Sequence, residues 1–294
     1  LAIGSLRRES HPQNPQAFDV RGAIMLFVGL ASSILFLTLG SRNGWTTPHV
    51  LFLFGLSALA LIAFVYIEKT VSQPVFDLSL LKHRVIAPLV VAAYLMNIAM
   101  FVNWFILPFY VSDILKADAK TLGFLLMLMS VISTVASPLG GWLSDRMPPA
   151  YITTLALIIV SGSMFWFTLL GADSSVTQVT FRMIAIGLGM GLFQAANATL
   201  IMGSVPSDKL GTGGALLTMS RSMGTVSSVA LMGALFASRL NVHARALAQQ
   251  GIAADVSDRQ TFILAFHDTY WISTVLAGIA VLVSLSYWPR RGQK

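Results

Sequence analysis

Residues 122–149 read LGFLLMLMSVISTVASPLGGWLSDRMPP: an apolar run, then a compact polar stretch, then two prolines. From Leu122 to Leu143 no side chain is charged, and a transmembrane helix needs about 20 predominantly apolar residues. Seven further stretches have the same character: Gly22–Leu39, Val50–Ile67, Ile86–Val111, Ile152–Leu170, Phe181–Ile201, Gly213–Phe236 and Tyr270–Tyr287. The spacing therefore predicts an all-α, polytopic membrane protein with eight transmembrane helices.

Composition agrees. Of 294 residues, 55% are hydrophobic and 11% are charged, and the mean hydropathy is +0.75. A soluble domain carries about 25% charged residues, so this chain lacks the polar side chains needed to cover itself in water. It contains no cysteine, which excludes disulfide scaffolds, zinc ribbons and thiol chemistry. Turn residues punctuate the runs at Asn43-Gly44, Gln73-Pro74, Pro148-Pro149 and 207–211. Most Trp and Tyr residues, among them Trp45, Tyr66, Tyr110, Trp142, Tyr151 and Trp288, lie near span ends, as an interfacial belt requires. The polar connection Asn241–Thr261 is long enough for a short surface helix.

The net charge of +7 would suggest nucleic acid in a soluble protein. Here its placement matters more. With a cytoplasmic N-terminus, eleven Lys and Arg residues fall on the inside, including Arg21, Lys82, Arg84, Arg146 and Lys209, and six fall outside. Basic residues favour cytoplasmic loops, so both termini are expected in the cytoplasm and nucleic acid is not expected as a partner. Cysteines introduced at Ser41 and Ser174 should then label from outside, and one at Ser207 should not.

Charged groups within a bilayer are costly and mark candidate sites. The spans hold no Asp or Glu near a midplane; Asp113, Asp145, Asp173 and Asp268 all sit at ends. The five histidines lie in loops or at edges, too scattered for a metal cluster. No hydrolase, zinc-protease or phosphate-loop pattern occurs, so no enzymatic activity, metal or cofactor is expected.

Two arginines remain within spans. Arg221 lies about 15 Å into the seventh, at 1.5 Å per residue. Gly214, Thr218, Arg221, Thr225 and Ser228 recur at three- and four-residue steps and form one polar stripe. The stripe suits a helix lining a water-filled cavity, although an arginine tied to backbone carbonyls fits as well. An adjacent stripe of Ser220, Gly224 and Ser227 suits close helix packing. In the sixth span Arg182 enters near the outer face, Gly187 and Gly191 form a GxxxG packing surface, and Gln194 and Asn197 share a face. In the third, Asn97 and Trp104 lie seven residues apart on one face while Asn103 points elsewhere, and Pro108 kinks the outer end. An Asn–Trp face can bind an amphipathic ligand or act as interhelical glue. Asp145 and Arg146, between two spans, can lock neighbouring helices in one conformation.

The core Gly141-x-Leu143-Ser144-Asp145-Arg146 resembles the loop signature of the major facilitator superfamily in its second-half copy, with Met147-Pro148-Pro149 in place of the glycine and basic residues that usually follow. Phe18-Asp19-x-x-Gly22, Gly44-Trp45, Glu68…Pro74-x-x-Asp77-Leu78, Leu107-Pro108-x-Tyr110 and Gly211…Ser220-Arg221-x-x-Gly224 resemble the 14-helix drug:proton antiporters of the EmrB/QacA type. That resemblance implies a layout of six, two and six spans, of which this chain carries the last eight. Residues 1–21 are then a cytoplasmic segment, 22–84 the central helix pair, and 85–294 a six-helix half built from two inverted three-helix repeats.

It further implies the C-terminal part of a proton-coupled exporter of small amphiphilic molecules in a bacterial cytoplasmic membrane, driven by the proton gradient and working by alternating access. Arg221, Arg182, Asn97, Asn103, Trp104, Gln194, Asn197, Thr218 and Thr225 would contribute to the cavity wall. Gly141, Asp145 and Arg146 would form a cytoplasmic gate, and Gly187, Gly191 and Gly224 would pack helices. The partners would be lipid and the six-span N-terminal half, and the layout allows for a periplasmic adaptor. The alternative is a non-transporting membrane module that needs a separate N-terminal half.

Overall fold

The structure is a computed structural model that describes residues 19–43, 47–70, 84–206, 210–250 and 254–288. Within them every regular element is helical: α1 (Val20–Asn43), α2 (Pro48–Thr70), α3 (Ile86–Phe105), the short α4 (Leu107–Phe109), α5 (Ala119–Arg146), α6 (Pro149–Phe167), α7 (Val176–Ser204), α8 (Leu210–Gln249) and α9 (Ala254–Leu285). Seven stretches are long and apolar enough to cross a membrane, from Pro48–Glu68 to Ser257–Leu285; Val20–Phe36 is a shorter apolar stretch. The protein is therefore a polytopic helical membrane protein. Residues 1–18, the Gly44-Trp45 pair, the Pro74–Leu78 motif and Lys82 and Lys209 lie outside the described residues.

Helices α1 and α2 form a hairpin. A Cβ on Gly29 would sit 2.7 Å from a methyl of Leu61, so the two backbones approach closely there. Ser33 and Ser57 share a hydrogen bond of 2.5 Å, and both hydroxyls reach Gly29 O. Asp19 caps α1, its Oδ1 accepting from Gly22 N–H at 2.9 Å, which gives the Asp19-x-x-Gly22 spacing a local cause.

The remaining helices form a body with an interleaved pattern. Helix α3 packs on α8 and α9, α7 packs on α5 and α6, and α6 packs on α9. Lipid is as apolar as leucine, so such contacts depend on close van der Waals fit and small residues. Gly187 and Gly191 meet α5: a Cβ on Gly187 would lie 2.7 Å from Met129 O, and one on Gly191 2.7 Å from the Ala136 methyl and still closer to Ser133 O. Gly189, two residues from each, faces α6 through Val160 and Ala156. Thus GLGMG seats one helix against two. At the α3–α8 contact, Gly224 faces Asn97 Cβ and Tyr94 O, with Tyr94 Oη donating to Ser227 at 2.9 Å and Ser220 Oγ donating to Val90 O at 3.0 Å.

Three expectations change. The stretch Gly140–Arg146 belongs to α5 rather than to a loop, and only Met147 and Pro148 separate α5 from α6. Pro148 holds Met147 extended (φ −132°, ψ 153°) and ends α5, while Pro149 takes the first helical position of α6, where no N–H is needed. The segment 241–261 is no separate surface helix. Its described residues belong to the end of α8 and the start of α9, and α8, with 40 residues, reaches about 60 Å, twice the hydrocarbon thickness. The predicted span Tyr270–Tyr287 is only the second half of α9, which begins at Ala254. The kink expected at Pro108 takes the form of a break at Ile106, two residues before it, and a π-helical turn after it, Tyr110–Ile114.

Candidate functional site

The candidate residues separate into an open set and a buried set. Thr218 and Thr225 are exposed on α8, and Arg221 is half-buried between them. Both threonine hydroxyls bond to their own helix, at Gly214 O and Arg221 O, each at 3.0 Å. The Arg221 guanidinium has no hydrogen-bond or ion-pair partner among the described residues. On α3, Trp104 is 46% exposed, and Asn97 is half-buried with Nδ2 donating to Ala93 O at 2.8 Å. Asn97 abuts Gly224, one turn beyond Arg221, so the α3 and α8 candidates adjoin across this crossing. Gln194 is half-buried on α7.

Arg182, Asn103 and Asn197 are in the core, which corrects the expectation that they line an open wall. Arg182 is 5% exposed; Nε donates to Trp166 O and Nη1 to Gln178 O, both at 2.8 Å. Its guanidinium carbon lies 4.7 Å from the Trp166 ring centroid. Trp166 O is among the last carbonyls of α6, where a helix end lacks donors and favours a cation. The bound-to-carbonyl reading thus describes Arg182 and not Arg221. Replacing Arg182 with leucine removes both bonds and should cost about 2–3 kcal/mol, the scale of a charge-assisted hydrogen bond; a fall in the detergent-solubilised melting temperature checks this.

Asn103 is fully buried. Its Oδ1 accepts from Tyr270 Oη at 3.0 Å, and Nδ2 faces Met164 Sδ at 3.6 Å, linking α3, α9 and α6. Asn197 is fully buried as well, and neither of its amide atoms has a hydrogen-bond partner among the described residues.

At the other end of α5, Arg146 lies over the Trp142 ring, 3.8 Å from its centroid, and Asp145 is exposed with no ion pair among the described residues. A Cβ on Gly141 would meet nothing within 4 Å, whereas one on the neighbouring Gly140 would meet Leu192 O at 3.0 Å. Gly140 therefore packs α5 on α7, and Gly141, Asp145 and Arg146 stay open.

The sequence did not single out the ties at the opposite end. Arg259 Nη2 reaches Ala172 O at 2.8 Å and Ile114 O at 3.3 Å, Tyr110 Oη donates to Gly171 O at 2.6 Å, and His267 bonds Leu170 O. His243 and Asp268, expected at loop edges, face one another from α8 and α9 at 2.8 Å, with Arg239 at 3.6 Å. Only the polar character of these helix extensions hinted at such contacts. Among the described residues no group of three His, Asp or Glu side chains is placed to hold a metal ion.

An interleaved bundle of long apolar helices, crossing on glycines and carrying within one of them an arginine unpartnered among the described residues, defines a polytopic membrane protein. Residues 10–229 match the model of the Major Facilitator Superfamily, and the chain belongs to that family. It is similar to the multidrug transporter protein MdtP of Bacillus subtilis (27% identity over 236 residues, 79% of this chain and 43% of that protein). It is similar also to the riboflavin transporter RibZ of Clostridioides difficile (24% identity, 98% of this chain and 60% of that protein). A third relative is the tetracenomycin C resistance and export protein of Streptomyces glaucescens (22% identity, 77% of this chain and 42% of that protein). The chain spans about half the length of these relatives.

Proposed function

We propose that this chain is the C-terminal part of a secondary active transporter, an exporter of small amphiphilic molecules coupled to the proton gradient and working by alternating access. The observation that carries the reading is the interleaving of the six-helix body. The first helix of each three-helix set (α3; α7) packs on the second and third helices of the other set, as two inverted repeats would. With the α1–α2 hairpin this makes eight spans of the 14-helix EmrB/QacA type, and a further six-helix half would supply the opposite wall. Relatives described as multidrug and export proteins support the export direction.

On this reading the wall presented by α3, α7 and α8 carries Trp104, Asn97, Gln194, Thr218, Arg221 and Thr225. Arg182 and Asn103 hold that wall in shape, and Asn197 is buried behind it. Gly141, Asp145 and Arg146 form a cytoplasmic gate that closes against the other half. The carboxylate that exchanges protons lies in that other half, since α1–α9 place no Asp or Glu at mid-span. Supplying the six upstream spans should produce efflux driven by a pH gradient in inverted vesicles, and its absence would refute the transport reading in favour of a non-transporting module.

Orientation has its own test. Both termini are placed in the cytoplasm of a bacterial inner-membrane protein, which sets the α5–α6 turn inside and the α6–α7 turn outside. The chain has no cysteine, so single replacements report cleanly. Asp173→Cys, at an exposed position, should react with an impermeant maleimide in intact cells, and Met147→Cys, also exposed, should react only after permeabilisation. The reverse pattern would invert the topology.

A further inference from the structure

Between the hairpin and the body runs a slot that shares only Thr218 with the wall described above. Two adjoining cavities of about 370 Å³ and 260 Å³ lie between α1 and α8 and share Leu30. Along α8 they extend from Gly214 to Leu231, about 26 Å of helix and close to the hydrocarbon thickness of a bilayer. Small residues make the room: Gly214 and Ala215 stand opposite Leu26 and Leu30.

The walls suit a hydrocarbon chain. They are mostly leucine, methionine and valine, and three of the four hydroxyls beside them are engaged within the protein, Ser222 being exposed. Thr218 donates to Gly214 O at 3.0 Å, Ser33 donates to Gly29 O at 2.8 Å, and Ser227 accepts from Tyr94 at 2.9 Å. A polar solute would exchange its hydration for little. A methylene chain loses nothing there and fills space that would otherwise forfeit dispersion contacts.

One end of the slot carries charge. Arg21 is exposed on α1, five residues before Leu26 and thus about 7.5 Å nearer the helix start. It forms no ion pair among the described residues, because the neighbouring Asp19 is buried against its own helix end, accepting from Gly22 N–H.

We infer that this slot holds one anionic phospholipid, from the leaflet at the start of α1, with an acyl chain along α8 and its phosphate at Arg21. The lipid would serve as a seal that lets the hairpin follow the body while keeping the seam closed to water.

The test is native mass spectrometry of the purified full chain, released from nanodiscs containing equal phosphatidylglycerol and phosphatidylcholine. One phosphatidylglycerol should be retained per chain, in preference to phosphatidylcholine. Arg21→Gln should lower that preference about fivefold, the worth of one basic residue toward an anionic lipid, without changing the fold. Ala215→Phe should abolish retention of both lipids, with Leu30→Phe obstructing the slot from the other wall should the first variant misfold. Leu155→Phe, on an exposed face of α6, should change nothing. No retained lipid in the wild type, equal retention after Ala215→Phe or Leu30→Phe, or a preference untouched by Arg21→Gln would each overturn the proposal. So would a dimer that Ala215→Phe dissolves, which would assign the slot to a second copy of the chain.

Discussion

Gly191→Leu should abolish folded protein. At that position even a methyl would collide with the Ser133 carbonyl and lie 2.7 Å from the Ala136 methyl, and both belong to a helix packed along its length. Overpacking of this kind costs about 1–3 kcal/mol where neighbours can shift, and more where the obstacle is backbone. The carbonyl at Ser133 cannot rotate away without breaking the helical bonding of α5. Gly187→Leu, facing Met129 O, should behave alike, and the two changes should not add, since either one already separates α5 from α7. Gly123→Leu and Gly233→Leu, where a Cβ meets nothing within 4 Å, serve as controls. Monodisperse yield on size-exclusion chromatography reads the outcome. Wild-type yield from Gly191→Leu would mean that the glycines do not set the α5–α7 distance.

The second large effect is expected on activity. In the transporter completed by its other half, Arg221→Gln should reduce gradient-driven efflux tenfold or more and leave the melting temperature within about 2 °C, because no side-chain bond to the described residues is lost. Arg221→Lys should restore part of the rate, since a charge remains but the planar fork of donors does not. Arg182→Leu should give the opposite pair of results, a large fall in stability and efflux that declines only with folded protein. Comparing cationic, neutral and anionic fluorescent amphiphiles would show whether Arg221 faces substrate or a carboxylate across the interface. Loss for anionic probes alone means substrate, and loss for all three means the interface. Unimpaired efflux by Arg221→Gln for every probe would remove Arg221 from the working wall.

These two predictions rest on features that differ in how legible they were. Gly187 and Gly191 announced themselves by their four-residue spacing in an apolar run, and their packing role follows from a helix period and the absence of a side chain. Gly189 did not. Its contact with α6 exists because α7 is clasped between two helices, which no single-helix periodicity records. Gly140 and Gly141 look alike in the sequence, yet one is pressed against Leu192 and the other faces open space.

The two intramembrane arginines make the same point in the chemistry. Sequence marked both as costly, left open whether Arg221 was tied or free, and placed Arg182 on the cavity wall. Arg182 is tied because the end of α6 offers Trp166 O at 2.8 Å, and the Arg221 guanidinium has no comparable partner among the described residues. Asn103, expected on an open wall, instead bonds Tyr270, a residue 167 positions away.

The sequence by itself determined that this is a helical membrane protein, roughly where its spans lie, and that it carries the marks of the major facilitator superfamily. Hydrophobic length and local motifs are properties of contiguous residues, and a bilayer accepts little else. Only the tertiary structure decided which polar side chains are spent inside the bundle and which remain to act. That depends on donors and acceptors brought together across helices, and no stretch of chain contains its own neighbours.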